Sequence, residues 1–148
     1  MIGQTVAAAV GTIAFSLLYN VPKKYYVYCG ITGGSGWFLY SLLTRYAGAT
    51  ATEATFFATV LVIVMSRFFA VWERCPVTVF LISGIFPLVP GAGIYWTAYY
   101  LVTNELRLAL MNGFAALKAA VAIVLGIVLV FEIPYGVFRI KRGGKSRR

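Results

Sequence analysis

A run of apolar residues from Pro76 to about Val102 is long enough to cross a bilayer, yet it is interrupted at its centre. Its middle reads Ser83–Gly84–Ile85–Phe86–Pro87–Leu88–Val89–Pro90–Gly91–Ala92–Gly93–Ile94–Tyr95, with two prolines and three glycines inside ten residues. Each proline removes a backbone donor and crowds the preceding turn. Glycine admits backbone angles that other residues avoid. The spacing predicts two half-helices joined by an irregular turn. Such a break is tolerated at membrane depth only where protein or a wet cavity satisfies the freed backbone groups. In transporters, breaks of this kind mark substrate sites. The plainer reading is a packing kink, since Gly and Pro are frequent in membrane helices.

The rest of the chain agrees with a membrane setting. Of its 148 residues 61% are hydrophobic and 11% charged, whereas soluble domains lie near half apolar and a quarter charged. This predicts an all-α integral membrane protein of one bundle, residues 1–138, with a basic tail at 139–148. Helices are expected over about Ile2–Tyr19, Tyr25–Thr44, Ala51–Val71, the broken segment, and Leu110–Ile133. The first is only just long enough to span. It carries no Lys or Arg, so it reads as a retained helix rather than a signal peptide. The second carries Gly30, Gly33, Gly34 and Gly36, a face that lets another backbone come close.

Five spans with the fourth broken at Pro87–Gly91 place the termini on opposite sides. With the tail in the cytoplasm, Lys23, Lys24, Arg67, Arg74 and six tail residues are cytoplasmic, and only Arg45 and Arg107 lie outside. Ten against two fits the positive-inside bias, so the N-terminus is expected out and the C-terminus in. The net charge of +9 then reports orientation at the inner membrane rather than nucleic acid. The tail reads first as an ordinary stop signal that needs no further role, with binding of anionic lipid as the second reading.

Candidate chemistry is sparse. A half-helix starting near Gly91 would direct unpaired amides and its positive dipole end at an anion such as a carboxylate. Pro90 suits its first turn. Gly93, Tyr95 and Trp96 follow directly on the break. Lys118 lies among Ala115, Ala116, Ala119 and Ala120. It is either a counter-ion, for an anionic substrate or an acid on another subunit, or a snorkelling cation. Asn112, one turn nearer the surface, is a weaker hydrogen-bonding candidate. Glu53 opens the third helix and reads first as a dipole complement, with proton coupling as the second reading. Ser35 falls in Gly33–Gly34–Ser35–Gly36, which matches an intramembrane serine protease pattern. The chain has no histidine and no aspartate, so no Ser–His dyad can form within it. Cys29 and Cys75 likewise lack a histidine to activate them. No catalytic residue, metal site or cofactor is expected.

Several features together resemble the small, C-terminal-half subunit of the bacterial threonine/serine exporter family. They are Asn20–Val21–Pro22–Lys23 after a short first helix, the Gly-rich second helix, Ile85–Phe86–Pro87–Leu88–Val89–Pro90–Gly91 followed by Tyr95, and Ile133–Pro134 before a basic tail. The family includes a two-subunit succinate exporter, to whose small subunit the chain is also similar. The resemblance implies secondary export of threonine and serine, or of a small dicarboxylate, across the inner membrane. It implies a larger membrane subunit as partner, with an oligomer of that heteromer left open. It carries Pro87, Pro90, Gly91 and Tyr95 as site residues. It says nothing of Lys118. The alternative is a membrane scaffold that assembles without transporting.

Overall fold

The computed structural model describes residues 2–134, and these form helices joined by short turns. The helices are α1 (Ile2–Leu18), α2 (Tyr26–Tyr46), α3 (Ala51–Glu73), α4 (Thr78–Ile85), α5 (Gly91–Val102) and α6 (Leu106–Glu132). One-turn 3-10 helices lie at Lys23–Tyr25 and Phe86–Leu88. The basic tail predicted at 139–148 lies outside the described residues.

α2 is the centre of the molecule, and α1, α3 and α4 all pack on it. Its buried positions include Cys29, Gly30, Thr32, Gly33, Gly34, Gly36 and Ser41. Small residues let the neighbouring backbones approach closely. A Cβ at Gly36 would lie 2.5 Å from Val62 Cγ2 of α3, and one at Gly84 of α4 would lie 2.7 Å from Thr32 Cγ2. Three of the buried hydroxyls turn back on their own helices: Thr12 to Ala8 O at 2.7 Å, Thr32 to Tyr28 O at 2.7 Å, and Ser66 to Val62 O at 2.7 Å. Each such bond satisfies a polar group without calling on a neighbour.

This placement bears on the number of spans. α3 and α6 are each long and apolar enough to cross a membrane alone, and α4 with α5 makes a third candidate as one bent element. α1 is apolar but has only 17 residues. α2 has the length but not the apolarity. Its glycines and hydroxyls face other helices, so most of its surface need not be lipophilic.

Helix directions follow from the contacts. α1 and α2 are antiparallel, with Arg45 Nη2 donating to Gln4 Oε1 at 3.1 Å at one end. α2 and α3 are antiparallel, with Tyr28 donating to Glu73 Oε1 at 3.2 Å at the other. α3 and α6 are parallel: Thr59 packs on Gly126, while Arg67 donates to Val130 O and to Ile133 O. Carried back residue for residue from Thr59 and Gly126, that register sets Lys118 level with Ala51. The first twelve residues of α6 therefore run on past the start of α3, by about 18 Å at helical rise. α5 lies antiparallel along this projecting part, with Gly93 against Ala116 and Thr97 against Gly113. Among the described residues α5 packs appreciably on α6 alone and buries none of its own residues.

Two boundaries differ from the sequence reading. α6 begins at Leu106 rather than Leu110, because Asn104 takes a left-handed φ of 61° and closes the preceding turn within three residues. Arg67, counted from the sequence among the cytoplasmic charges, is 1% exposed. Its guanidinium donates to two carbonyls at the end of α6: Val130 O, which also accepts from Ile133 N at 3.2 Å, and Ile133 O.

Candidate functional site

The predicted break is present, and the two halves meet at 50°. α4 ends at Ile85, the chain tightens into the turn Phe86–Leu88, and α5 starts at Gly91 with Pro90 as its cap. The near side of the break is anchored. Phe86 stacks on Phe15 of α1 with ring centroids 3.8 Å apart. Leu88 is buried in a cluster with Ala58, Val62 and Ile123. The far side is open. Gly91 is exposed, and a Cβ built on it meets no heavy atom within 4 Å. Tyr95 is 63% exposed.

The amides after the break are partly committed. Gly91 N donates to Val89 O at 2.7 Å, and Ile94 N to Pro90 O at 3.1 Å. Between them the N–H groups of Ala92 and Gly93 have no intrahelical acceptor, and Pro90 offers no side-chain cap. That leaves two donors at the positive end of the α5 dipole.

The other candidates fall in different places. Gly93 brings α5 onto α6 beside Asn112 and Ala116; a Cβ there would lie 3.1 Å from Ala116 Cβ. Asn112 Nδ2 is used within α6, donating to Leu108 O at 2.9 Å. Lys118 is two residues beyond Ala116, hence rotated by about 200° around the helix, and it faces away from α5. Ser35 donates to Thr32 O at 2.9 Å and contacts Met65 Sδ at 3.0 Å. It borders a separate groove against α1, with Gly30 and Gly34. The break, Lys118 and Ser35 are therefore three separate places within this chain.

Lys118 and Glu53 are brought together. Both line a cleft of about 710 Å³ between α3 and α6, which sequence spacing does not connect. Lys118 sits near the midpoint of α6 rather than two turns from its end, and is exposed. Its ammonium is 5.3 Å from the centre of the Phe114 ring. Glu53 forms a capping box with Thr50. Thr50 N and Thr50 Oγ1 donate to Glu53 Oε2 at 2.8 and 2.9 Å, and Glu53 N donates back to Thr50 Oγ1 at 3.3 Å. Glu53 is thus held at the first turn of α3 with its second oxygen, Oε1, uncommitted among the described residues. At the opposite end of the bundle, burial pushes the Cys75 thiol above its usual range, away from the thiolate that a nucleophile needs.

Residues 4–133 match the family model described as "Threonine/Serine exporter, ThrE". The chain belongs to the threonine/serine exporter family. The match covers all but the first two residues of α1 and runs through the broken α4–α5 element to the end of α6. ThrE-family membership makes this a membrane exporter domain, in a family of transporters rather than of enzymes. No solved structure matches the chain.

Proposed function

We propose that this ThrE-family chain is one subunit of a secondary transporter that exports a small carboxylate-bearing metabolite by alternating access. Threonine and serine, or a dicarboxylate such as succinate, are the candidate solutes. The observation that carries the reading is the break at Phe86–Pro90: a bent element anchored on one side, with two uncapped amides and open space on the other. Discontinuous helices of this form present amide ends to anionic groups in transporters.

The molecule crosses the inner membrane five times, N-terminus out and C-terminus in. The parallel course of α3 and α6 supports an odd return between them, which α4 and α5 supply as one crossing. Lys23, Lys24 and Arg74 then face the cytoplasm with the tail. A larger membrane subunit of the same family completes the assembly. The projecting pair of α5 and the start of α6 supports this, because it exposes Ile94, Tyr95, Trp96, Leu110, Met111 and Phe114. An apolar surface of that extent calls for lipid or protein against it.

Gly91 provides a clean test because a side chain there meets nothing in the chain itself. The double variant Pro90→Ala, Gly91→Leu is expected to fold and assemble normally yet lose at least about tenfold in export rate, as a single badly placed anion contact would cost. Export of labelled threonine and succinate from cells, beside co-purification with the partner, measures both quantities. Unchanged export would leave the scaffold reading in its place.

A further inference from the structure

Where the start of α2 meets the end of α3, the molecule carries a slot that the break does not use. Four aromatic rings line it, Tyr28 of α2 and Phe68, Phe69 and Trp72 of α3, around a space of about 240 Å³. That is smaller than the pockets that enclose soluble ligands. The rings follow one another: Tyr28 to Phe69 at 5.0 Å, Phe69 to Phe68 at 5.9 Å and Phe68 to Trp72 at 6.0 Å between centres. Phe80 is wholly buried and backs Tyr28 and Phe69, so the wall is fixed from inside. The outer side is open, with Phe68 39% and Trp72 60% exposed.

Cations crown the slot. Lys23 and Lys24 lie in the turn before α2, Arg74 follows directly on α3, and all three are exposed. Glu73 is the carboxylate at this corner. It accepts from the Tyr28 hydroxyl at 3.2 Å and lies 3.7 Å from Lys24 Nζ. The side chains of Lys23 and Arg74 have no partner among the described residues. Three cations against Glu73 leave two positive charges unmatched beside an apolar slot. Arg74 sits at the apex of its turn with a left-handed φ of 54°, a place that glycine usually takes.

We infer that this corner binds an anionic phospholipid, with one acyl chain against the four rings and the phosphate beside Lys23 and Arg74. The phosphate diester supplies the negative charge that Glu73 does not, and basic pockets between helices on the cytoplasmic side take such head groups. A zwitterionic lipid brings its own ammonium among these cations, where like charges repel. The slot takes a chain rather than a soluble anion because its walls are rings, and Trp72 at the water boundary suits an amphipathic neighbour. The inference goes beyond the transport reading and takes from it only the orientation, which makes the leaflet the cytoplasmic one.

Phosphatidylglycerol and phosphatidylcholine are titrated separately into the purified full-length chain in detergent, and bound lipid is counted by native mass spectrometry. The unmodified chain is expected to bind phosphatidylglycerol at least about tenfold more tightly. Lys23→Gln with Arg74→Gly should lower phosphatidylglycerol affinity about tenfold and leave phosphatidylcholine as it was. Glycine suits the left-handed turn, so the fold is spared. Lys23→Arg with Arg74→Lys keeps the charges and should keep the preference. Trp72→Ala, at an exposed position, should weaken both lipids about threefold or more. Equal affinity of the unmodified chain for the two lipids overturns the assignment. So does a preference that survives Lys23→Gln with Arg74→Gly, which would place the lipid on the tail at 139–148. Unchanged binding in Trp72→Ala removes the slot from the site, and displacement of the lipid by equimolar inorganic phosphate would make it a site for a free anion. None of these residues lies at the break. Loss of the lipid preference therefore leaves the transport reading standing, and unchanged export in the Gly91 variant leaves this corner standing.

Discussion

Replacing Arg67 with methionine is expected to destabilise the protein by about 1–3 kcal/mol, the cost of leaving the Ile133 carbonyl without its guanidinium donor. Arg67 donates to Val130 O and Ile133 O, and its guanidinium also lies 5.2 Å from the Phe131 ring centre. Methionine replaces most of the stem volume, so little of the loss comes from packing. What disappears is the pair of guanidinium donors at the end of α6: Val130 O keeps Ile133 N at 3.2 Å, and Ile133 O is left without a donor among the described residues. The C-terminal turn of α6 should fray first. A cysteine placed at Val130, which is 2% exposed, reports this directly. In a background with Cys29 and Cys75 replaced by alanine it should resist alkylation when Arg67 is present and react readily in Arg67→Met. Thermal unfolding in detergent gives the global figure. Arg67→Lys should fall between, because an ammonium lacks the planar fork that reaches two oxygens at once. Equal stability of all three proteins would show that the carbonyls find other donors.

Arg67 also shows why part of the architecture could not be read from the sequence. Its depth in α3, sixteen residues into a helix of twenty-three, was visible. Its partners were not, since they belong to a helix more than sixty residues later and are backbone atoms, which carry no residue-specific signal. Lys118 shows a related failure. Arg107 and Glu105 made 103–107 look like a loop, and a cation is disfavoured in a first helical turn. The left-handed Asn104, with Glu105 N donating to Tyr100 O at 2.8 Å, nevertheless starts α6 at Leu106. Moving the start by four residues carries Lys118 from near an interface to mid-helix. Its meeting with Glu53 depends further on the register of α3 against α6. That register is fixed by the fit of Thr59 on Gly126, a pairing that neither residue announces alone.

Other features were legible because their causes are local. Pro87 and Pro90 each remove a backbone donor and crowd the preceding turn, so the break lies where those residues lie. The start of α3 at Ala51 was legible with Glu53 in its first turn as a dipole complement, and the structure adds the capping box with Thr50 that fixes that start. The glycines of α2 announced a close-packing face, although not that this helix would be central. That last point carries its own large effect.

Gly33→Val is expected to separate α1 from α2 and to cost about 1–3 kcal/mol through overpacking. A Cβ at Gly33 would lie 2.1 Å from Thr12 Oγ1 and 2.8 Å from both Thr12 Cβ and Thr12 Cγ2. Thr12 has little room to yield: it is wholly buried, and its hydroxyl is tied to Ala8 O at 2.7 Å. The clash is therefore relieved only by moving the α1 backbone. Of the two helices α1 is the less able to resist, being shorter than α2, with most of its outward face exposed. The displacement should propagate to Phe86, which stacks on Phe15 three residues beyond Thr12 and steadies the near side of the break. Export should consequently fall along with thermal stability. The double variant Gly33→Val, Thr12→Gly removes every Thr12 atom named in the clash except through the backbone, and should recover much of the loss. A double-mutant cycle on unfolding temperature isolates that coupling from the cost of each single change. Additive effects would mean that α1 and α2 are not held together at this contact, and that the anchoring of the break rests on Leu88 alone.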